Sequence, residues 1–257
     1  MDKSSFAGVL LALTGIVAGL LMEGGHIGQI LQPTAALIVF GGTIGAVLLQ
    51  FPLATVTQAF GRIGHLFAAP RKHDSELIHL LLAFAQKARR NGVVSLDADL
   101  KTIQDPFLRQ AVMLAVDGTE PTDLRSIMQV SLDSSTESEE RLPAVFESAG
   151  GFSPTVGILG AVLGLIQVMQ HLDNIAEVGR GIAVAFVATI YGVGIANLFF
   201  LPIAGKMRLR LRDEVQRREM MLEAVISILE GMNPRMLEVK LSGFLHHSAQ
   251  QSAERAA

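Results

Sequence analysis

The sequence predicts an all-α integral membrane protein. Ser148–Gln170 (SAGGFSPTVGILGAVLGLIQVMQ) and Gly181–Gly205 (GIAVAFVATIYGVGIANLFFLPIAG) contain no charged residue. Each is long enough to cross a bilayer as a helix, which takes about 20 apolar residues. Half of the 257 residues are hydrophobic, 18% are charged and mean hydropathy is +0.43. That is the composition of a membrane protein with soluble portions. Strand-like alternation is weak everywhere, whereas the polar stretches show helical periodicity.

In chain order, Phe6–Met22 is a charge-free run of 17 residues. It resembles a signal peptide with Lys3 as the basic flank. However, it exceeds the usual apolar core of about 7–15 residues, lacks a clear small-x-small cleavage site and precedes another apolar run, so it reads as an anchor. Ala35–Leu53 is the second span. The connection that follows reads as helical: Glu76–Ala88 places Leu77, Leu80, Leu81 and Phe84 on one face with Lys87 opposite, and Asn91-Gly92 stops it. Pro106–Val116 is a second helix, closed by Asp117-Gly118. Thr122 reads as the N-cap of a third, which runs through Arg141 and Phe146 into the third span, with Pro143 near a kink or break. After the fourth span, Met207–Glu230 carries an apolar stripe of Met221, Ala224, Val225, Ile228 and Leu229, ended by Gly231 and Asn233-Pro234. The expected division is residues 1–53 (spans one and two), 54–147 (helical loop), 148–205 (spans three and four) and 206–257 (helical tail).

Charge sets the expected orientation. Of 21 Lys and Arg, ten fall in residues 54–147 and nine after Gly205. Basic residues next to spans mark the cytoplasmic side, and the cluster Lys206, Arg208, Arg210, Arg212 adjoins a span directly. Four spans then put both termini in the cytoplasm. Without cysteine, disulfide and thiolate chemistry are excluded.

Enzyme chemistry finds little support. His246-His247 sit in a polar tail without an acidic partner at ligand spacing, and His26 is isolated in a short loop. Asp97 and Asp99 in SLDADL lack the Gly and closing Glu of a calcium loop. The glycines of the third span are not followed by the Lys-Ser/Thr of a phosphate loop. No metal or organic cofactor is expected. The polar groups inside the spans are Thr14, Thr43, Thr155, Thr189, Tyr191, Gln167 and Asn197. Thr14 and Thr43 read as bonding the carbonyl one turn back. Thr155 and Thr189 accompany small faces: Gly157, Gly160, Ala161 and Gly164 on the third span, and Ala185, Ala188, Thr189, Gly192 and Ala196 on the fourth. Such faces suit close helix packing or a cavity lining. An ion-driven machine needs an ionisable group at membrane depth. The spans have none, so a partner would have to supply the carboxylate.

At these residues the chain resembles the A subunit of the bacterial flagellar motor stator, the MotA/PomA type, within the proton-channel family that includes ExbB and TolQ. ALIVFGGTIGAVLLQFP is similar to the family's second span, PTVGILGAVLGLI and GIAVAFVATIYGVGIANLFFLPIAGKM to its third and fourth, and ILEGMNPRMLEVKLSGFL to its tail motif. Four spans with a connection of roughly 95 residues favour a stator over the three-span ExbB and TolQ. The resemblance implies a ring of five A subunits around two B subunits. Each B subunit has one membrane helix, which carries the ion-binding Asp, and a peptidoglycan-binding domain. It further implies an ion path along Pro154, Thr155, Ala161, Thr189 and Tyr191, with hinges at Pro154 and Pro202. A contact to the rotor's switch protein, of the FliG type, falls at Arg89 or Arg90 and at Asp97, where the family often has Glu. Sodium-type members tend to carry Thr at the positions of Ala161 and Ala188. Their absence favours the proton as coupling ion, with sodium as the alternative. Competing readings are an ExbB/TolQ-like energiser of outer-membrane processes and a self-contained ion-coupled transporter.

Overall fold

The computed structural model describes residues 3–66 and 74–254. Those residues are α-helical apart from short turns, and the chain divides into two units: Met1–Pro70 with Glu140–Arg208, and Arg71–Glu139 with Leu209–Ala257. His246 and His247 lie outside the residues whose side chains are described.

The first unit contains α1 (Lys3–Met22), α2 (Pro33–Gln50), α3 (Leu53–Leu66), the second part of α6 (Pro121–Gln170), α7 (Ile175–Ile195) and the start of α8 (Leu201–Leu229). Among the described residues three helical stretches are long and apolar enough to cross a membrane: Pro33–Gln50, the apolar part of Pro121–Gln170 and that of Ile175–Leu229. Helix α1 is a shorter apolar helix over Ala7–Met22. Its Thr14 bonds back to Leu10 O at 2.7 Å, as the sequence led one to expect.

Two cores hold this unit. Ala35 and Val39 of α2 meet Val187 and Ala188 of α7. Val47 of α2 joins Val56, Ala59 and Leu66 of α3, Val145, Phe146 and Ala149 of α6, and Ala204 and Met207 of α8. Helix α3 was not separable in the sequence. Phe51-Pro52 ends α2, and the polar residues that follow hide an amphipathic helix whose Phe60 stands edge-on to Phe146, 5.2 Å between ring centroids.

The second unit contains α4 (Asp74–Asn91), a 3-10 helix at Val93–Asp99, α5 (Pro106–Val116), the first part of α6, the later part of α8 and α9 (Pro234–Glu254). Its core gathers Leu81, Leu96, Leu108, Leu124, Met128, Leu132, Ile226, Leu237 and Leu241, all buried. On α4 the buried stripe is Ile78, Leu81, Phe84, Ala85 and Ala88, and Leu80 is exposed. The face is therefore rotated from the expected one: Ile78 and Ala85 join the core, and Leu77 packs against it half-buried. Gly92 stops α4 with φ +82° and Gly231 stops α8 with φ +73°, a backbone region that side-chain-bearing residues rarely enter.

Helix α6 differs from expectation at both ends of its polar part. It begins at Pro121 rather than after Thr122, since proline already has the φ of a first helical residue and lacks only an N–H that would be unpaired there. It also runs through Pro143, which is buried, without breaking there.

Glu223 of α8 centres a polar network in the second unit. It accepts from Arg125 of α6 at 2.9 Å and from Lys240 of α9, and Lys240 also donates to Ser227 Oγ at 3.0 Å. Burial alone would raise the Glu223 pKa, but the hydrogen bonds and positive charges of Lys240 and Arg125 outweigh it and hold the carboxyl below its ordinary 4.5. A carboxyl with a depressed native pKa stabilises the fold above its unfolded value and loses that contribution as pH falls through the native value. Glu223→Gln should therefore reduce thermal stability at pH 7, and the gap from wild type should close as pH drops below 4.5. Melting of the full chain in detergent across that range checks this; a constant gap would contradict it.

Candidate functional site

The candidate site is the line along which α6 and α7 touch. A helix pair approaches this closely only where side chains are absent, and glycine supplies that on both sides. A methyl group added at Gly157 would lie 2.9 Å from Ala188 O, and one at Gly164 would lie 2.8 Å from Gly181 O. One at Gly160 would lie 2.8 Å from the Ala188 side chain, and one at Gly192 would collide with Ser153 O. The seam thus joins Ser153, Gly157, Gly160 and Gly164 to Gly192, Ala188, Ala185 and Gly181. Two of the small faces read from sequence are the two halves of one contact. Gly181 also belongs to it, and the signal for that was its four-residue spacing from Ala185.

Beside this seam lies a buried hydroxyl pair. Thr43 Oγ1 of α2 and Ser153 Oγ of α6 are 3.3 Å apart, 2% and 0% exposed. Ser153 also donates to Ala149 O at 2.9 Å, which leaves its oxygen to accept from Thr43. Thr43 therefore bridges helices rather than only bonding back along its own, contrary to the sequence reading. Ser153 was not singled out at all: a serine before proline in a membrane helix carries no local sign of its partner. Gly42 packs beside the pair, where a methyl group would lie 2.7 Å from Val156.

The residues expected along the ion path take different places. Thr189 is half-buried and donates to Ala185 O at 3.2 Å, and its backbone faces Gly157 across the seam. Thr155 is exposed and donates to Phe152 O at 2.8 Å. Ala161 is half-buried. Tyr191 is half-buried. Its hydroxyl donates to Ile30 O at 2.5 Å and accepts from Gln32 N at 3.3 Å, while its ring stacks near Phe40. It pins the segment before α2 to α7.

Both prolines lie within continuing helices. Pro154 is inside α6, and its missing N–H leaves Gly150 O without the usual bond. Pro202 follows a π-turn at Ala196–Phe200, where Leu201 N bonds Ala196 O, and α8 continues beyond it. The wider turn makes room for the proline ring, and Asn197 donates its amide to Val193 O at 2.9 Å. The two weakened turns meet, because a methyl group at Gly150 would lie 2.6 Å from the Leu201 side chain.

Helix α7 begins at Ile175, six residues before the charge-free run. Asn174 caps it, accepting from Ala176 N at 3.1 Å. Glu177 and Arg180 therefore belong to its first turns. With Thr34, Gln167 and His171 they line a cleft of 460 Å³, and His171 Nε2 lies 3.4 Å from Glu177.

In the second unit, Arg89 and Arg90 are exposed in the last turn of α4, where positive charge suits the helix C-terminus. Asp97 is exposed on the 3-10 helix. Asp99 is the structural acid of the two, since it pairs with Lys87 at 2.6 Å and ties that helix to α4. Lys87 thus does not face away from the fold. Among the described residues no three His, Asp or Glu side chains gather as a metal site.

Charge-free helices seamed by glycine, in a chain that also carries a separate helical unit, define a membrane protein built to work with other helices. Its relatives give it a family. Residues 99–220 match the MotA/TolQ/ExbB proton channel family and residues 6–92 match the motility protein A N-terminal family. Motility protein A of Bacillus subtilis is 36% identical over 95% of this chain and 91% of its own length. The MotAB stator complex of B. subtilis contains a chain that superposes with TM-score 0.88 at 34% identity, over 98% of this chain and 99% of its own. In MotAB of C. jejuni the values are 0.88 and 32%, over 95% and 96%. The chain belongs to the MotA/TolQ/ExbB proton channel family, as a stator subunit of the MotA type.

Gly192 and Gly194 offer a matched pair. A methyl group at Gly194 meets nothing within 4 Å, whereas one at Gly192 strikes the α6 backbone. Gly192→Ala should lower stability by about 1–3 kcal/mol, as overpacking against backbone does, and Gly194→Ala should leave it unchanged. Melting of the two purified variants distinguishes them; equal melting would mean that the seam is not under steric control.

Proposed function

We propose that this subunit works with a B subunit to convert ion flow into rotation of the flagellar rotor, and that protons are the coupling ion. The observation that carries the reading is the seam itself. It fills the closest approach of α6 and α7 with glycine and alanine and provides hydroxyls but no ionisable group. A channel subunit of this family that lacks a carboxylate at membrane depth needs one from its partner. The solved structures that it resembles are MotAB complexes.

In this reading the subunit is not an enzyme and uses no cofactor. Five copies form a ring in the inner membrane around the B subunit's membrane helices, and the B subunit's second domain holds peptidoglycan. Both termini face the cytoplasm. Residues 1–53 and 148–205 supply four spans, and residues 54–147 and 206–257 form the cytoplasmic parts. Thr155, Ala161 and Thr189 flank the ion path. Tyr191 belongs to the same path, and its hydroxyl also holds the α1–α2 connection. Pro154 and Pro202 are the hinges, supported by the meeting of their two weakened turns at Gly150 and Leu201. Arg89, Arg90 and Asp97 contact the FliG-type switch protein, supported by their exposure on adjoining elements.

The coupling ion follows from oxygen supply. Sodium requires several oxygen ligands, and the side chains assigned to the path offer two hydroxyl oxygens besides the Tyr191 phenol, those of Thr155 and Thr189, whose lone pairs stay open while their hydrogens go to carbonyls of their own helix. Ala161 and Ala188 add none. A proton needs only the partner's carboxylate and water.

Two motility measurements test these assignments. Replacing Arg89 and Arg90 together by Glu should abolish swimming under high load while membrane insertion and B-subunit binding persist. Pro154→Ala should cut torque with the protein still present, and full torque in either variant would remove that residue's role. Separately, swimming speed should be indifferent to sodium at fixed pH and collapse with a protonophore. Speed that falls when sodium is withdrawn yet survives the protonophore would overturn the proton assignment.

A further inference from the structure

The cleft between α6, α7 and the start of α2 has a chemistry that the glycine seam lacks. It reaches Gly164 and Gly181, the pair of the seam that lies nearest the α6–α7 turn. Beyond those glycines it is lined by His171, just past the end of α6, and by Glu177 and Arg180 of α7. Helix α2 contributes Thr34 and Ile38, which carry no charge, and α6 contributes the neutral amide of Gln167. Among the described residues no other charged or titratable group lines the cleft, and Asp173, in the turn, is exposed outside the lining.

The neighbours of His171 fix where its hydrogen sits. Nδ1 lies 3.0 Å from Gln167 O, a carbonyl that can only accept, so Nδ1 carries a hydrogen. In the neutral ring Nε2 is then an acceptor, and it faces a second acceptor, the Glu177 carboxylate, at 3.4 Å. The two attract each other only when a proton joins Nε2 and makes an imidazolium beside the carboxylate. The pair is thus a holder for one exchangeable proton. Arg180 sets the charge around it. With Glu177 ionised, the lining is neutral overall when His171 is neutral and singly positive when it is protonated. It never carries the net negative charge that would draw a metal cation in, and a fixed arginine at a pore mouth is a barrier to such ions. We propose that the cleft is the outer, water-holding inlet of the ion path, where the His171–Glu177 pair takes up and passes on the proton and Arg180 keeps sodium out. A proton from the water outside binds Nε2, then leaves Nε2 for water at the glycine floor, and His171 returns to its neutral form. The cleft is roomy and polar enough to hold that water. The inference rests on the orientation and the coupling ion proposed above, which place the α6–α7 turn on the outer side.

The test uses the full chain with the B subunit's membrane helix in vesicles under an imposed potential, with proton and sodium entry read by separate dyes. His171→Ala should lose most of the proton entry. Free imidazole added outside should restore it, to a degree that wild-type vesicles do not show and that a purely structural histidine would not allow. Arg180→Gln should keep the proton entry and add sodium entry. Unchanged proton entry in His171→Ala, or a loss that imidazole leaves in place, would overturn the proposal. So would continued exclusion of sodium by Arg180→Gln. Failure of the underlying reading shows separately, in the wild type: vesicles that admit sodium, or no ion at all, would remove the proton-coupled path and this inlet with it.

Discussion

The closest approach of α6 and α7, at Gly157 and Gly192, is the constraint on which the first unit depends. In an apolar solvent there is no hydrophobic drive between helices, so association rests on packing and hydrogen bonds. Glycine lets the two backbones touch, and the touching fixes which faces are left over. Thr189 stands beside the seam, Ser153 is aimed at Thr43, and the large side chains Ile158, Leu159, Phe186 and Ile190 are turned outward and exposed. A seam this tight cannot slide smoothly. Its weak places are the two turns relieved by proline, where one carbonyl of α6 lacks its partner and the helix ahead of Pro202 widens into a π-turn.

The absence of charged residues from the runs Ser148–Gln170 and Gly181–Gly205 has a functional meaning only together with the family. Alone, it would describe a passive scaffold equally well. In a proton channel family it supports the proposed division of labour, in which this subunit contributes shape, hydroxyls and small faces and a partner brings the titrating group. The second unit has the opposite chemistry. There Glu223, Arg125 and Lys240 cross-link α6, α8 and α9, and Lys87 with Asp99 fixes the 3-10 helix, leaving Arg89, Arg90 and Asp97 exposed.

Much of this was legible in the sequence, for local reasons. Gly92, Gly118 and Gly231 end helices because the chain there takes positive φ, and Asn91, Asp117 and Asn233 beside them strengthened the signal. The apolar runs were visible because charge is costly in a bilayer. What stayed hidden depends on tertiary register. Helix α3 is short, follows Pro52 directly and shows its apolar side only against Phe146. Thr43 looked like an ordinary back-bonding threonine because nothing nearby in the chain announces Ser153. Tyr191, one polar group among several in the spans, reaches back to Ile30 and Gln32 across some 160 positions. Asp97 and Asp99 look equivalent on paper, and only the placement of Lys87 separates the structural acid from the exposed one.

That this subunit shapes an ion path whose titrating group comes from a partner can be tested without flagella. The purified chain is placed in vesicles with a pH-sensitive dye inside and an imposed membrane potential, alone and with the B subunit's membrane helix. No proton entry is expected with this chain alone. Entry should appear when the partner helix is present and be lost when the partner's membrane aspartate is replaced by asparagine. Proton entry through this chain alone, at a rate the partner does not change, would contradict the division of labour between the two subunits.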